Sequence, residues 1–171
     1  MSARQDEFER VIMCHTRSLL RVARRLTSDS FRAEDLVQEC LLLAWRGFHQ
    51  LREGTNPRAW LFRILFNAFY AQGRKMRTMS EVVPLTAGIR TETPAFDDVI
   101  EVSRALDGLH MEHRTVLMLA VVEGFTCNQI AEILAVPLGT VMSRLSRARQ
   151  AMRTRIAPKS TRLAYAGKEN A

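Results

Sequence analysis

Apolar residues recur at intervals of three and four positions along most of the chain, whereas no stretch alternates for long enough to predict a strand. This spacing favours amphipathic helices and an all-α fold. The predicted helices span residues 8–26, 30–45, 57–77, 96–106, 111–123, 126–134 and 137–156.

Two of these helices begin with recognisable capping signals. Asn56 before Pro57 suits an N-cap and a first helical position, because the N–H that proline lacks has no helical partner there. Thr126 and Gln129 have the spacing of a capping box, in which each side chain accepts from the other residue's backbone N–H. The starts of these two helices are therefore the best-defined boundaries in the sequence.

The helical periodicity lapses after residue 77, where Pro84, Gly88 and Pro94 stand among serine, threonine and glutamate residues. Such a composition predicts a flexible linker of about 18 residues between two small helical domains. The chain after residue 158 is short, polar and rich in small residues, which predicts a disordered tail. The expected division is a first domain over 1–77, a linker over 78–95, a second domain over 96–158 and a tail over 159–171.

The distribution of charge along the chain indicates what kind of partner it binds. The 171 residues include 25 Lys and Arg against 18 Asp and Glu, which gives a formal net charge of +7. Two long segments, 54–80 and 135–165, contain basic residues and no acidic residue. Because they fall in different domains, they predict two basic surfaces that can bind a polyanion. The length of the chain separately excludes a large enzyme.

The segment that follows Gly124 has the pattern of a helix-turn-helix, in which a short helix and a turn precede a longer helix. The longer helix carries apolar residues from Val141 to Met152 at spacings of four, three and four. A recognition helix enters the major groove by its N-terminal end, where arginine can form two hydrogen bonds with guanine. The residues that lie away from this apolar stripe and can face DNA are Thr140, Ser143, Arg144, Arg147 and Gln150, whereas Arg149 lies further along, where it can contact phosphates.

The third predicted helix carries a second polar stripe, whose members recur at spacings of four, three and four. It combines charge, an amide and an aromatic ring, in Arg63, Asn67, Tyr70 and Arg74. This mixture suits contacts to a nucleic-acid backbone together with stacking on unpaired bases. An ordinary solvated face is the alternative, and the stripe alone does not decide between the two.

Four runs of the sequence, in this order, resemble the extracytoplasmic-function group of bacterial sigma factors. They are AEDLVQECLLLAWR at 33–46, AWLFRILFN at 59–67, RTVL at 114–117 and GTVMSRLSRAR at 139–149. The resemblance extends from residue 8 to around residue 156, and the two domains divide where those of the family do. The run Gly54-Thr55-Asn56 is further similar to the alphaproteobacterial general-stress-response subgroup.

This resemblance implies a promoter-specificity subunit, with core RNA polymerase and promoter DNA as its partners. The longest apolar run, residues 116–122, is too short to span a membrane and the first ten residues lack the apolar core of a signal peptide, so we expect a cytoplasmic protein. The first domain would be region 2, which binds the polymerase clamp helices and captures the opened −10 strand. The second domain would be region 4, which reads the −35 element as duplex. Many relatives are held inactive by an anti-sigma factor, so that partner is expected too, whereas a cofactor, membrane insertion and an obligatory homo-oligomer are not.

The resemblance also assigns residues to these roles. In the family, the loop before the third helix forms a pocket for a flipped promoter base, and the pocket must replace the stacking that the base loses. The polymerase-binding residues would be Asp35, Gln38, Glu39, Leu42 and Arg46. The −10-binding residues would be Gln50, Arg52, Thr55 and Asn56 in the loop and Arg63, Asn67, Tyr70 and Arg74 on the helix. The −35-binding residues would be Thr140, Ser143, Arg144, Arg147, Arg149 and Gln150.

Three positions depart from the family pattern. Phe66 stands where many relatives have a basic residue, Ala71 where an Asp is frequent, and Gln129 where a Glu usually precedes Ile-Ala. On a helical wheel Phe66 also clusters with Phe62 and Phe69, outside the arc expected to form the core. That arc comprises Trp60, Leu61, Ile64, Leu65, Ala68 and Ala71. The three phenylalanines therefore suggest an apolar docking patch for another domain or an inhibitor.

An enzyme has little support in this sequence. His110 and His113 could share a metal ion, but no second cluster completes a tetrahedral site, so we predict neither a metal nor a catalytic residue. The alternative to a sigma factor is an ordinary helix-turn-helix transcription regulator that binds duplex operator DNA. Such a regulator would bind palindromic duplex by itself, whereas a sigma factor would act through core polymerase.

Overall fold

The computed structural model describes residues 3–27, 29–51, 54–79 and 97–156, and every regular element within them is helical. The all-α prediction is confirmed. The helices are α1 (Ala3–Ile12), α2 (Thr16–Thr27), α3 (Ser30–Gly47), α4 (Pro57–Met79), α5 (Asp97–Asp107), α6 (Met111–Leu117), α7 (Cys127–Leu134) and α8 (Leu138–Ile156). Short 3₁₀ turns lie at Met13–His15 and Phe48–Gln50, and a π-helical turn lies at Met118–Val122.

The chain divides into two compact units, Met1–Ile89 and Arg90–Ala171, apart from the segment Glu132–Ala135, which groups with the first. Helix α4 ends at Met79, two residues beyond its predicted end. The rest of the predicted linker over 78–95, and the predicted tail over 159–171, lie outside the described residues. None of the helices that the structure describes is long and apolar enough to cross a membrane.

The first unit is a bundle in which α3 packs against both α2 and α4. Helix α3 begins at an N-cap formed by Asp29, whose Oδ1 accepts from the backbone N–H of Phe31 at 2.8 Å and of Arg32 at 3.2 Å. Between α3 and α4 the buried Cys40 thiol donates to the Leu61 carbonyl at 3.5 Å. Burial raises the pKa of this thiol to about 12, so Cys40 is a protonated packing residue.

The single helix predicted over 8–26 is wrong, because the chain tightens into a 3₁₀ turn between α1 and α2. The Met13 carbonyl accepts from both the backbone N–H and the hydroxyl of Thr16, the third residue along, which is the spacing of a 3₁₀ helix. Ile12 before the turn and Leu19 after it are both fully buried. The turn therefore joins two core-facing helices without exposing either apolar face.

The predicted core arc of α4 is confirmed except at Ala71, since Leu61, Leu65 and Ala68 are buried and Trp60 and Ile64 are half-buried. The hypothesis of a phenylalanine docking patch outside this core is wrong. Phe62 and Phe66 are fully buried and Phe69 is half-buried, whereas Ala71 is exposed. Helix α4 contacts α1, α2 and α3. A helix that packs against several neighbours buries a wider arc than a single amphipathic stripe provides, and this is why Phe62 and Phe66 belong to the core.

In the second unit α8 packs against α5 and α6. The turn between α5 and α6 is fixed by two arginines. Arg114 donates to the carbonyls of Asp107 at 2.9 Å and Leu109 at 3.3 Å, and Arg155 on α8 donates to the Gly108 carbonyl at 2.9 Å. These bonds hold the start of α6 in a defined position beside α8.

The helix-turn-helix begins as its capping signal predicts. The Thr126 N–H donates to Gln129 Oε1 at 2.9 Å, and the Gln129 N–H donates to Thr126 Oγ1 at 3.3 Å. Gln129 therefore keeps the capping role that the family's glutamate would have, because a Gln amide oxygen accepts as a carboxylate does. Gly124, with φ of +69°, ends the preceding segment in the left-handed region.

Candidate nucleic-acid interfaces

Helix α8 buries the apolar stripe expected of a recognition helix. Val141, Leu145 and Ala148 are buried and Met152 is half-buried, which confirms the predicted inner face. Of the residues predicted to face DNA, Ser143, Arg147, Arg149 and Gln150 are exposed, whereas Thr140 and Arg144 are half-buried. Five of the six therefore share the outer face and one side of α8. Arg149 lies on the opposite side, where it lines a groove with Val102, Val121 and Met152.

Arg144 is tied to its own domain. Its Nη2 lies 2.8 Å from Oε2 of Glu112, in the first turn of α6, and the two side chains are 21% and 45% exposed. Nearby, the Ser143 hydroxyl donates to the Thr140 carbonyl at 3.0 Å. The start of α8 therefore carries side chains whose positions are already constrained by bonds within the protein. Sequence reasoning missed Glu112, since the pair joins residues on different helices.

Two histidines lie beside the same part of α8. The rings of His110 and His113 are 6.0 Å apart. Desolvation, followed by the charges of His110 and Arg147, lowers the pKa of His113 below its usual value of 6.5. The lowered pKa favours the neutral form of this ring, chiefly because its surroundings desolvate the charged form. Among the described residues, no three His, Cys, Asp or Glu side chains come together as a metal site.

Helix α4 presents its predicted polar stripe to solvent. Arg63, Asn67, Tyr70 and Arg74 are all exposed. The Tyr70 ring also contacts two aromatic neighbours, with its centroid 6.3 Å from that of Phe66 and 5.6 Å from that of Phe69. Phe66, which departs from the family pattern, thus helps to support the exposed ring rather than contacting solvent itself.

The loop before α4 exposes three of its four residues predicted to bind the −10 strand. Gln50, Thr55 and Asn56 are exposed, and Arg52 lies outside the described residues. Asn56 is the N-cap of α4, since its Oδ1 accepts from the backbone N–H of Arg58 at 3.0 Å and of Ala59 at 3.2 Å. This confirms the capping prediction, and it leaves the Asn56 amide N–H groups as the part of that side chain able to contact DNA.

The outer face of α3 carries the predicted polymerase-binding stripe. All five of its residues are exposed, namely Asp35, Gln38, Glu39, Leu42 and Arg46. Behind them Leu36, Cys40 and Ala44 are buried as expected, but Leu43, also predicted to face the core, is exposed. Glu39 is held by α4, because its Oε2 accepts from Gln72 Nε2 at 2.6 Å.

Phe31 extends this stripe by one turn and was missed. It precedes Asp35 by four residues and Gln38 by seven, so it lies on the same face of α3, and the residue is 81% exposed. Leu42, which is 50% exposed, lies on the same face about three turns further along α3. Exposed apolar residues on one face of a helix are typical of a binding surface. Continuing the helical wheel toward the start of α3 would have found it.

Comparisons with known proteins agree with this division into two units. The family model for sigma-70 region 2 matches residues 11–78, and a model for sigma-70 region 4 matches residues 100–152. The chain is 36% identical over 146 residues to the ECF RNA polymerase sigma factor SigL of Mycobacterium tuberculosis, covering 81% of this chain and 82% of SigL. It is 34% identical over 148 residues to the ECF sigma factor EcfG of Rhodopseudomonas palustris, covering 84% and 82%.

A solved structure is similar as well. The sigma factor RpoE of Bartonella quintana, in complex with the anti-sigma factor NepR, superposes with a TM-score of 0.74 at 30% identity, covering 90% of this chain and 98% of that one. The match of the first unit to region 2 also excludes an ordinary helix-turn-helix regulator, whose resemblance would be confined to the second unit. The chain therefore belongs to the extracytoplasmic-function (ECF) family of RNA polymerase sigma factors, which direct the initiation of transcription at promoters.

Proposed function

We propose that this sigma factor divides promoter recognition between its two units, with α3 binding core RNA polymerase, α4 capturing the opened −10 strand and α8 reading the −35 duplex. The observation that carries the proposal is that α4 and α8 each expose a polar face free of acidic residues, in separate units. Two basic faces on separate units suit two separated DNA elements, because phosphate contacts supply affinity at both.

The polymerase-binding surface is the stripe on α3 with Phe31 added to it. Two exposed apolar residues, Phe31 and Leu42, flank the acidic Asp35 and Glu39, and Arg46 follows Leu42 on the same face. Protein interfaces commonly combine a few apolar anchors with a charged rim that fixes the register. We expect the apolar anchors to provide most of the affinity for polymerase.

The −10 surface joins the loop at Thr55 and Asn56 with the exposed stripe of α4, and Gln50 and Arg52 contribute from the start of the loop. Unstacking a base costs a few kcal/mol, so the protein must return that free energy through stacking and hydrogen bonds. Tyr70, supported by Phe66 and Phe69, provides a ring for stacking, and Arg63 and Arg74 provide cations for phosphates. Strand opening then requires binding and no catalytic group, so the chain is not an enzyme.

The −35 surface comprises the outer face of α8 and the two sides that carry Arg144 and Arg149. Arg144 and Arg147 lie within the first three turns, where a recognition helix meets base edges, and Arg149 and Gln150 lie further along toward the phosphates. Thr140 and Ser143 add hydroxyls at the start of the helix. Base-specific hydrogen bonds from this end would set the −35 preference.

We further propose that this takes place in the cytoplasm without a cofactor, and that an anti-sigma factor controls it. The B. quintana relative was solved with its anti-sigma factor NepR, which supports an anti-sigma partner for this chain as well. A monomer suffices for the three surfaces described, so the proposal includes no obligatory homo-oligomer.

The division of labour can be tested by selection from DNA pools. Holoenzyme made from core RNA polymerase and the full chain would be challenged with promoters in which either the −35 or the −10 block is randomised. Arg147→Ala on α8 should alter only the −35 preference and Asn67→Ala on α4 only the −10 preference. Arg17→Ala, an exposed arginine on α2, is the charge-matched control and should alter neither. An effect of Asn67→Ala on the −35 block alone would contradict the proposal.

A further inference from the structure

The ion pair between Glu112 and Arg144 joins the start of α6 to the DNA-facing end of α8. Glu112 is the second residue of α6, and its Oε2 lies 2.8 Å from Arg144 Nη2. The turn that precedes α6 is fixed by Arg114 and Arg155, which donate to three backbone carbonyls in it. Glu112 therefore lies on a fixed part of the second unit, and its carboxylate does not move with the Arg144 side chain.

We propose that Glu112 is a positioning residue for −35 recognition, which orders the Arg144 guanidinium before DNA binds. This inference rests on the proposed role of Arg144 at the −35 element. A guanidinium carries five N–H donors, and a guanine contact uses two of them. The bond to Glu112 involves Nη2, so the other N–H groups of the Arg144 guanidinium remain available to bind a base. A side chain ordered in advance loses less conformational entropy on binding, and it is less able to adapt to a wrong base.

The charge of Glu112 adds a second, opposite effect. A carboxylate close to the DNA-facing surface repels phosphates, so it lowers affinity for DNA of any sequence. Arg147 and the neutral His113 are the neighbouring groups at this end of α8. Removing Glu112 should therefore raise non-specific affinity while lowering sequence preference. A residue that merely stabilised the fold would lower both when it was removed.

The experiment uses holoenzyme made from core RNA polymerase and the full chain. The probes are a duplex promoter pool with a randomised −35 block and a single duplex of scrambled sequence. Glu112→Gln keeps the shape of the side chain and removes its charge, Glu112→Ala removes both, and Arg144→Ala removes the partner. Glu132→Gln is the control, because it removes the same charge from an exposed site on α7. Thermal unfolding of each variant checks that the second unit is folded.

The expected result for Glu112→Ala is a loss of about threefold to tenfold in preference at the base pairs that Arg144→Ala also relaxes, with tighter binding to the scrambled duplex. Glu112→Gln should show a smaller loss at the same base pairs. The double variant should lose no more preference than Arg144→Ala alone, because Glu112 acts through that residue.

Two results would overturn the inference, and they can be told apart. If Arg144→Ala relaxes specific base pairs but both Glu112 variants keep the full preference, Glu112 has no positioning role and the proposed −35 surface stands. If Arg144→Ala itself leaves the preference unchanged, the role of Arg144 fails and the inference fails with it. Should Glu112→Ala unfold, the comparison of Glu112→Gln with Glu132→Gln still decides the question.

Discussion

The two helices proposed to contact DNA differ in how they hold their side chains. On α4 all four residues of the polar stripe are exposed, Tyr70 by 38%, and the Tyr70 ring contacts Phe66 and Phe69. On α8 Arg144 is half-buried and bonded to Glu112, and the Ser143 hydroxyl is bonded to the Thr140 carbonyl. The recognition of base edges requires donors fixed in place, whereas the capture of a single strand relies on base stacking and on cations that contact its phosphates.

The largest expected effect concerns stability, and it tests whether the two units unfold independently. Phe62 in the first unit and Leu119 in the second are both fully buried, and truncating either to alanine should destabilise its unit by about 3–5 kcal/mol for the Phe and 2–5 kcal/mol for the Leu. Both tryptophans of the chain, Trp45 and Trp60, lie in the first unit. Urea unfolding followed by tryptophan fluorescence should therefore shift strongly for Phe62→Ala and little for Leu119→Ala.

Circular dichroism supplies the control, because it reports the helices of both units and should detect each variant. If Leu119→Ala moved the fluorescence transition as far as Phe62→Ala, the two units would unfold as one, and their treatment as separate bodies would be wrong.

The next effect sharpens the contrast between strand capture and duplex reading. Tyr70→Ala should weaken holoenzyme binding to DNA with an unpaired −10 strand by about 1–3 kcal/mol through lost stacking. Binding to fully paired DNA that carries only the −35 element should be unchanged, and fluorescence anisotropy with both probes would measure the difference. Tyr70→Phe, which keeps the ring, should retain most of the affinity. Equal losses on both probes would argue against a stacking role.

A smaller effect separates the two roles of Asn56. Asn56→Ala removes the N-cap of α4 and should cost about 0.5–2 kcal/mol of stability in the first unit. Asn56→Asp keeps the capping acceptor but loses the amide donors and adds a negative charge. Thermal unfolding of Asn56→Asp should therefore resemble that of the native chain, while its −10 binding should be weaker. Normal −10 binding by Asn56→Asp would confine Asn56 to capping.

The smallest effect is a pH dependence shared by the two units. Burial lowers the pKa of His15, with a further contribution from Arg58, and burial also lowers the pKa of His113. Each ring therefore takes up its proton at a lower pH in the folded chain than in the unfolded chain, where the pKa is about 6.5. The unfolded chain then binds more protons, so each contribution to stability is complete above pH 6.5 and is lost as the pH falls below it. Comparing unfolding at neutral and mildly acidic pH, His15→Gln and His113→Gln should each reduce the loss. A loss unaffected by either variant would assign it to other groups.

The sequence predicted best what depends on neighbouring residues. The N-caps at Asn56 and Thr126 were confirmed because their hydrogen bonds span only two or three residues. The inner face of α8 was confirmed because one dominant apolar stripe faces α6. The helical wheel placed Phe62 and Phe66 outside the core, whereas both are buried because α4 packs against three helices. The number of neighbouring helices cannot be deduced from the residues of α4 alone.

The features that matter most for specificity were the hardest to predict. Glu112 and Arg144 are 32 positions apart, and their contact depends on how α6 packs against α8. Phe31, by contrast, lay within reach of the sequence, since it shares the face of α3 with residues already assigned to polymerase binding. The assignment of residues to DNA and polymerase contacts stays a prediction that the experiments above address.

The central claim is that this chain makes core RNA polymerase start at promoters with separate −35 and −10 elements. Run-off transcription by purified core polymerase, on a template selected by the holoenzyme from a randomised promoter pool, tests it most directly. We predict a transcript of defined length that requires the added chain and disappears when either element is scrambled. Transcription that is indifferent to the added chain, or that survives the loss of both elements, would contradict the account.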